Sequence, residues 1–590
     1  MPSKKLPEGK KQHAASVIDS YFEGYWKEQK VRPAGEINDA QFLRRLNLVL
    51  HGAPTTAKEL KDFLKNPSPD KRRKTIDDLL KSSRFADYFA FRLRQWVVDL
   101  REVKGQGTNL TTLYQYFRQA VAENRNWATI ATDLIQTQGN IALDGRANFG
   151  VYFDGEPNEV ADAASRLFLG TNLGCAQCHD HPWVDRWKRK SYWGLAAFFA
   201  RSEMWDINVV GKDKFDVRFP DVGRAETSIS SLPGGDASID GGGGENRAYA
   251  DVGKGEVTLP DPEDPQKSTV IMPTPLGGKP LKAADSGALS RRGQFAAWVV
   301  GPDNRRFPRS AVNRFWHELL GRGFVARPDD FRPDMLPKHD KLLDRLADGF
   351  RQRQYDIKWL IRTIVSSRVF RLAAEAVEGS TDKHWHGSLR RQLNSDQWHD
   401  SVLRVTGENR RALTIAKQLQ PLLTEERVLR LQKRRKLIIE GAKKIRKGPF
   451  PHLAKALPSI DSVPQEKKAK LSGKDRTRLK PLRGQYEELG KRFEASRSRA
   501  RRSMSPTTEA LFRMNGDFVT GAINDGMAAQ EISKLATPQE RLDRIYLTVL
   551  GRQPTPAEKK KLVPFLTKFK KHAIPDLLWV LIQTVEFQSY

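Results

Sequence analysis

The sequence predicts a mainly α protein, with two helical domains and a small strand- and loop-rich insertion between them. Three observations carry this. Apolar residues recur at helical spacing through most of the first 200 residues and again from Ser290 onward. Between Trp205 and Pro280 the texture changes to short alternating segments set among Gly and Pro. The length, 590 residues, exceeds what one core organises, since a domain takes about 150 residues.

The elements follow in order. Residues 1–15 are charged and apolar-poor, and are expected to be disordered. A helical domain is expected over 16–204. In QFLRRLNLVL, Phe42, Leu43, Leu46, Val49 and Leu50 share one helix face; Pro54 and Thr55 then break the pattern, and TAKELKDFL restarts it. KRRKTIDDLLKSSRFADYFAFRLRQWVVDL and TLYQYFRQAVAENRNWATIATDLI continue it, separated by a Gly- and Asn-rich loop around Lys104–Leu110. A strand-, Gly- and Pro-rich connection is expected over 205–285, with FDVRF and GEVTL as strands and Gly241–Gly244 inside a flexible loop. A second helical domain is expected over 286–535, interrupted at FPRSAVNRFW and at RKGPFPHLAKALPSIDSVP. A C-terminal helical unit, 536–590, resembles the N-terminal helix–turn–helix. Phe42, Leu46, Val49, Leu50, Pro54, Thr55 and Ala57 align at an offset of 500 with Leu542, Tyr546, Val549, Leu550, Pro554, Thr555 and Ala557. Three helix ends also look alike: IDDLLKSSRF, IKWLIRTIVSSRVF and LLWVLIQTVEF. The irregular period does not support a solenoid.

Composition narrows the function classes. Hydrophobic residues at 38% supply enough material for cores, and two cysteines rule out a disulfide-stapled scaffold. No run of 18 apolar residues occurs, so no membrane-spanning helix is expected. The first residues contain no apolar segment of a secretory signal. The net charge is +30, from 101 Lys+Arg against 71 Asp+Glu. Half of that excess lies in residues 421–510, which hold 25 Lys+Arg against 10 Asp+Glu. Such a basic helical region fits either a solvated surface or a face that attracts acidic polysaccharide or another polyanion. No aromatic stacking platform or zinc-finger signature accompanies the bases, which disfavours nucleic acid. No Walker A loop, G-x-G-x-x-G, H-E-x-x-H or G-x-S-x-G occurs, so the sequence assigns no enzyme class.

One motif carries chemistry. Both cysteines fall in LGCAQCHDHPWVDRW, as Cys175, Cys178 and the adjoining His179. C-x-x-C-H is the attachment pattern of c-type haem: two thiols on one helical turn reach the two vinyl groups of a porphyrin edge, and the next imidazole reaches the iron. Three other readings stay open on the residues alone. A zinc site could use Cys175, Cys178 and His179 or His181 with further ligands. The pair could also be a thiol–disulfide couple, or purely structural. His181 lies too close to His179 to cross a porphyrin, so it is a pocket partner or an alternative metal ligand. Met204 and Met272 are the nearest downstream thioethers for a distal iron position. Trp183, Trp187, Tyr192, Trp193, Phe198 and Phe199, in what reads as one long helix, could line a porphyrin or simply form core. Arg186, Lys188 and Arg189 could pair with propionates or face solvent. In the second helical domain Asn313, Arg314, Trp316, His317, Asp329, Asp330 and Arg332 form a polar cluster that could bind a ligand or receive the first domain, or could simply be buried ion pairs and a helix cap.

The chain resembles the planctomycete-type proteins that adjoin a DUF1549 domain, described as cytochrome-like, to a DUF1553 domain. The first resemblance rests on RRLNLVLHGAPTTAKELKDFL, PDKRRKTIDDLLKSSRFADYFAFRLRQWV and FLGTNLGCAQCHDHPWVDRWKRKSYWGLAAFF. The second rests on RRGQFAAWVVGPDNRRFPRSAVNRFWHELLGRGFVARPDDFRPDMLPKHDKLLDRLADGF, DIKWLIRTIVSSRVFR, RRQLNSDQWHDSVLRVTG, EALFRMNGDFV and ERLDRIYLTVLGRQPTPAE. The resemblance implies haem c on Cys175, Cys178 and His179, a redox partner protein, and a periplasmic or otherwise extracytoplasmic location. A cytoplasmic location follows instead if Met1 is the true start. It implies no established reaction.

Overall fold

The computed structural model describes residues 15–99, 110–141, 144–206, 247–251, 255–260, 264, 266–281, 290–332, 337–374, 384–411 and 517–590, with 414–415, 418, 472–475, 477–485, 488 and 513. The described residues are mainly helical. The expectations placed on residues 1–14, on 104–109, on FDVRF, on Gly241–Gly244, on 446–464 and on most of the basic stretch 421–510 lie outside them.

The first region runs α1 (Ala15–Glu28), α2 (Asp39–His51), α3 (Ala57–Lys65), α4 (Lys71–Lys81), α5 (Ser83–Val98), α6 (Leu110–Ala122) and α7 (Trp127–Gln136). Strand β1 (Gly139–Asn140) and short α8 (Asn148–Val151) precede α9 (Pro157–Ala164) and α10 (Arg189–Ala196). Four strands follow: β2 (Ser202–Asp206), β3 (Arg247–Asp251), β4 (Val257–Pro260) and β5 (Ser268–Ile271). They form a three-stranded sheet in the order β1-β3-β2 and a hairpin of β4 with β5, all antiparallel. Helices resume as α11 (Arg291–Val299), α12 (Arg306–Leu320), α13 (Asp340–Gln352), α14 (Ile357–Val365), α15 (Arg368–Arg371) and α16 (Ser395–Thr406). The last set is α17 (Asp517–Asp525), α18 (Met527–Ser533), α19 (Pro538–Val549), α20 (Pro556–Phe569), α21 (Ala573–Ile582) and α22 (Val585–Gln588).

Two expectations need correction. FPRSAVNRFW does not interrupt a helix; it lies within α12. Pro308 is the third residue of α12, in the first turn, where a backbone N–H has no intrahelical partner to lose. RWKRKSYWGLAAFFAR is not one long helix: only Arg189–Ala196 is α-helical, with the Asp180 carboxylate accepting the Arg189 N–H at its start and tighter turns, Phe198 N–H to Leu195 and Phe199 N–H to Ala196, at its end.

The recurrent helix ends share one device. Ser82, Ser367 and Thr584 each donate a hydroxyl proton to the carbonyl three residues back, at 2.7 Å in every case, on Leu79, Ile364 and Leu581. Each hydroxyl also accepts the N–H of a phenylalanine three residues on: Phe85, Phe370 and Phe587. One oxygen thus closes one helix and opens the next, and the phenylalanine it positions is buried. The helix–turn–helix repeat is also present, with its caps one residue out of the predicted register. Gly52 and Gly551 take left-handed backbone, and Thr56 and Thr555 form capping boxes with Glu59 and Glu558.

These pieces converge on α2. Arg44 and Arg45 are adjacent and both buried, and among the described residues no carboxylate hydrogen-bonds to either. Arg45 donates to the Phe370 and Leu372 carbonyls, at 2.7 and 2.8 Å. Arg44 donates to those of Phe587 at 2.8 Å and Val549 at 3.3 Å. Burial lowers both guanidinium pKa values to about 10.

The main core is continuous from Ile18 to Trp385 and therefore draws on helices from both sides of the strand-rich connection. Phe315 of α12 stacks on Phe89 at 5.9 Å and meets Trp96 and Trp127 edge-on at 5.1 and 5.7 Å. Glu318, one turn further, takes Arg92 in a fork at 2.8 and 3.1 Å and the Trp96 indole N–H at 3.2 Å. A second core gathers Leu48, α16 and α17–α22.

Candidate functional site

The cysteine motif sits on a surface turn held from beneath. The helix that leads to it, α9, widens into one π-turn at Ser165–Leu169 and stops at Gly170, whose φ is +61°. A side chain at 170 would lie 2.7 Å from the Phe331 ring and 2.9 Å from the Ser310 hydroxyl, so glycine is required there. The Gly170 carbonyl accepts the Phe331 N–H at 2.6 Å, which ties this stop to the segment after α12.

Gly174–Gln177 forms a 3-10 turn rather than the α-helical turn that the attachment pattern suggests. Cys175 lies within this turn and Cys178 caps it, and both thiols are exposed and free of a disulfide. Ala176 points inward and is fully buried. The Asn172 side chain accepts the Gly174 N–H at 3.1 Å, and the Trp193 indole donates to the Gln177 carbonyl at 3.0 Å.

The two histidines differ. His179 is exposed, and its Nδ1 lies 2.7 Å from the Asp180 carbonyl oxygen. A carbonyl can only accept, so Nδ1 carries a proton, and in the neutral ring Nε2 keeps its lone pair. His181 is 8% exposed and packs edge-on against Trp187 at 5.0 Å. Its Nδ1 accepts the Trp183 N–H at 3.3 Å, which leaves the proton on Nε2 in the neutral ring. Asp180 holds the loop in shape: its carboxylate accepts the Arg189 N–H at 2.9 Å and pairs with Lys188 at 3.2 Å. The Arg189 N–H, followed by Lys188, lowers its pKa.

Cys175, Cys178, His179 and His181 thus follow one another along one surface segment without converging, with His181 turned inward. Met204 and Met272 lie on other elements. Met204 is on β2, packed against the cluster of Ile141, Ala147, Val151 and Tyr249. Met272 follows β5, two residues before Thr274, which bonds α10 at the Gly194 carbonyl. Among the aromatics, Trp187, Tyr192, Phe198 and Phe199 are core. Trp183 is not: it is 67% exposed, beside the motif, with the Arg332 guanidinium 5.9 Å from its ring. Among the described residues, no three His, Cys, Asp or Glu side chains form a group that could hold a metal ion.

The polar cluster on and after α12 braces the π-turn that leads to the motif. Asn313 accepts the Val325 N–H at 3.1 Å, Arg314 donates to the Arg166 carbonyl at 2.9 Å, and Arg166 pairs with Asp329 at 2.8 Å. Asp162 also approaches Arg166, at 3.7 Å, but its Oδ1 is buried without a hydrogen bond. Burial outweighs the attraction of Arg166 and raises its pKa to about 6. Sequence reasoning missed the carbonyl that sets the His179 tautomer and the inward turn of His181. Both depend on backbone contacts that leave no mark in residue identity.

Residues 17–204 match the family described as Protein of unknown function (DUF1549), PSCyt2. Residues 291–566 match the family described as Protein of unknown function (DUF1553), PSD1. No curated protein and no solved structure matches the chain.

Proposed function

For a chain that joins a DUF1549 region to a DUF1553 region, we propose an extracytoplasmic carrier of one covalent c-type haem that passes electrons to a partner protein. The observation that carries this reading is the state of His179. Its Nδ1 is committed to the Asp180 carbonyl, so Nε2 is the nitrogen left to bind iron, next to two exposed thiols, one within a 3-10 turn and one capping it. Cys175 and Cys178 would hold the group through their thiols and His179 through Nε2. The bound group supplies reversible one-electron transfer. The chain's own part is to present the thiols, fix the imidazole tautomer through Asp180, and brace the turn through Trp193 and Asn172.

The test is expression with haem-maturation machinery, followed by intact-mass and pyridine haemochrome measurements. A mass gain of one haem is expected, with loss of covalent pigment in C175S/C178S. A bare polypeptide mass sinks the reading. Zinc bound at one equivalent to that bare chain, and lost in the same variant, would assign the thiols to zinc instead. The charge of residues 421–510 favours a second, compatible reading, docking of acidic polysaccharide or another polyanion. Heparin retention that survives neutralising those bases would exclude it.

A further inference from the structure

A cavity of about 320 Å³ opens on the seam between the two matched regions. That volume is within the range of small-molecule sites. Phe42 of α2 and Ile76 of α4 contribute from the first region, and Trp359 of α14 from the second. Four guanidiniums also line it: Arg72, Arg73, Arg362 and Arg371. Asp70 is the single acidic residue of the lining. The other carboxylates that hold these arginines are outside it: Asp39 pairs with Arg72 at 2.8 Å, Asp77 with Arg362 at 2.5 Å, and Glu36 with Arg371 at 2.9 Å. Three of the four arginines are therefore held by carboxylates outside the lining and Arg73 by Asp70 within it, and the cavity surface is mostly apolar. Arg72 is further immobilised over the Phe42 ring, 4.8 Å from its centroid. Arg362 engages Asp77 through Nε, and Arg73 engages Asp70 through one terminal nitrogen at 2.9 Å. With five donors per guanidinium, both retain N–H groups for a ligand.

We propose that this cavity binds a small organic oxyanion, a carboxylate, sulfate monoester or phosphate monoester, borne on a flat apolar body. The oxyanion would take the free donors of Arg73 and Arg362, where forked hydrogen bonds to charged oxygen are strong. The flat body would lie among Phe42, Ile76 and Trp359. This site does not depend on the cysteine motif.

Calorimetric titration of the full chain with benzoate, 4-nitrophenyl sulfate and 4-nitrophenyl phosphate tests it, with benzyl alcohol and inorganic sulfate as controls. At least one aryl oxyanion is expected to saturate a single site, and the one that binds best names the oxyanion class. Benzyl alcohol should not bind, and inorganic sulfate should bind more weakly. Arg73 is half-exposed, so Arg73→Gln should fold normally; it and Arg362→Gln should each weaken binding about tenfold. No saturation by any aryl oxyanion at about 10 mM overturns the proposal. So does benzyl alcohol binding as well as benzoate, or unchanged affinity in both variants at an unchanged melting temperature.

Discussion

His179 and His181 stand two positions apart, and their neutral rings carry the proton on opposite nitrogens, because one faces a carbonyl and the other an N–H. The C-x-x-C-H spacing was legible in the sequence because it is wholly local. The tautomers were not, since main-chain atoms set them. Asp162 and Glu318 were illegible for a related reason: both are ordinary carboxylates until their surroundings are known. Asp162 is pushed up to about 6. Its charged form is penalised in the fold, so the penalty is absent below about pH 3.9 and grows as pH rises through 6. Asp162→Asn should therefore stabilise the protein at pH 7 by about 1–2 kcal/mol, after allowance for partial exposure, and change little at pH 4. Urea melts at the two pH values check this. Glu318 has the opposite sign. Burial pushes it up, but Arg92, with Arg391 and the Trp96 N–H, holds it at about 2. Its contribution, about 3 kcal/mol, is complete above about pH 4.3 and is lost as pH falls toward 2. Glu318→Gln should cost about 3–5 kcal/mol at pH 7, because Arg92 is left charged and buried, and should flatten the acid limb of the stability profile.

At the level of elements, the three Ser/Thr hinges show why short similar strings recur in this chain. Each hydroxyl must accept and donate at once, which Ser and Thr can do and Ala cannot. Ser367→Ala should lower stability by about 1–2 kcal/mol in chemical denaturation. The matching strings were visible in the sequence, and so was the helix–turn–helix repeat at offset 500. Its true cap register of 499 was also written there, in the matching T-x-x-E boxes Thr56–Glu59 and Thr555–Glu558, but the adjacent Thr55 drew the alignment one residue off. Pro308 misled in the same way: proline breaks a helix interior but is tolerated in a first turn. Arg45→Met should cost about 3 kcal/mol, since the Phe370 and Leu372 carbonyls lose a charged donor. A lower urea midpoint with an unchanged slope is the expected readout.

For the whole molecule, the mainly α class was legible from periodicity alone. No helix of the described residues is long and apolar enough to cross a membrane. How the two matched regions share one core was not legible, because Phe315 and Phe89 are 226 positions apart and only packing joins them. Residues 17–204 expressed alone should expose the surface that α12 covers and bind a hydrophobic dye. Tight near-ultraviolet dichroism and no dye binding would refute this.

The paired arginines of α2 also impose a timetable on the nascent chain. Arg45 finds its carbonyls 325 and 327 positions downstream, and Arg44 finds Phe587 at 543. Until the ribosome has delivered those stretches, two cations are left without the acceptors that make their burial tolerable. Helix α2 must then stay hydrated or be shielded by a chaperone, and contacts this distant in sequence form slowly.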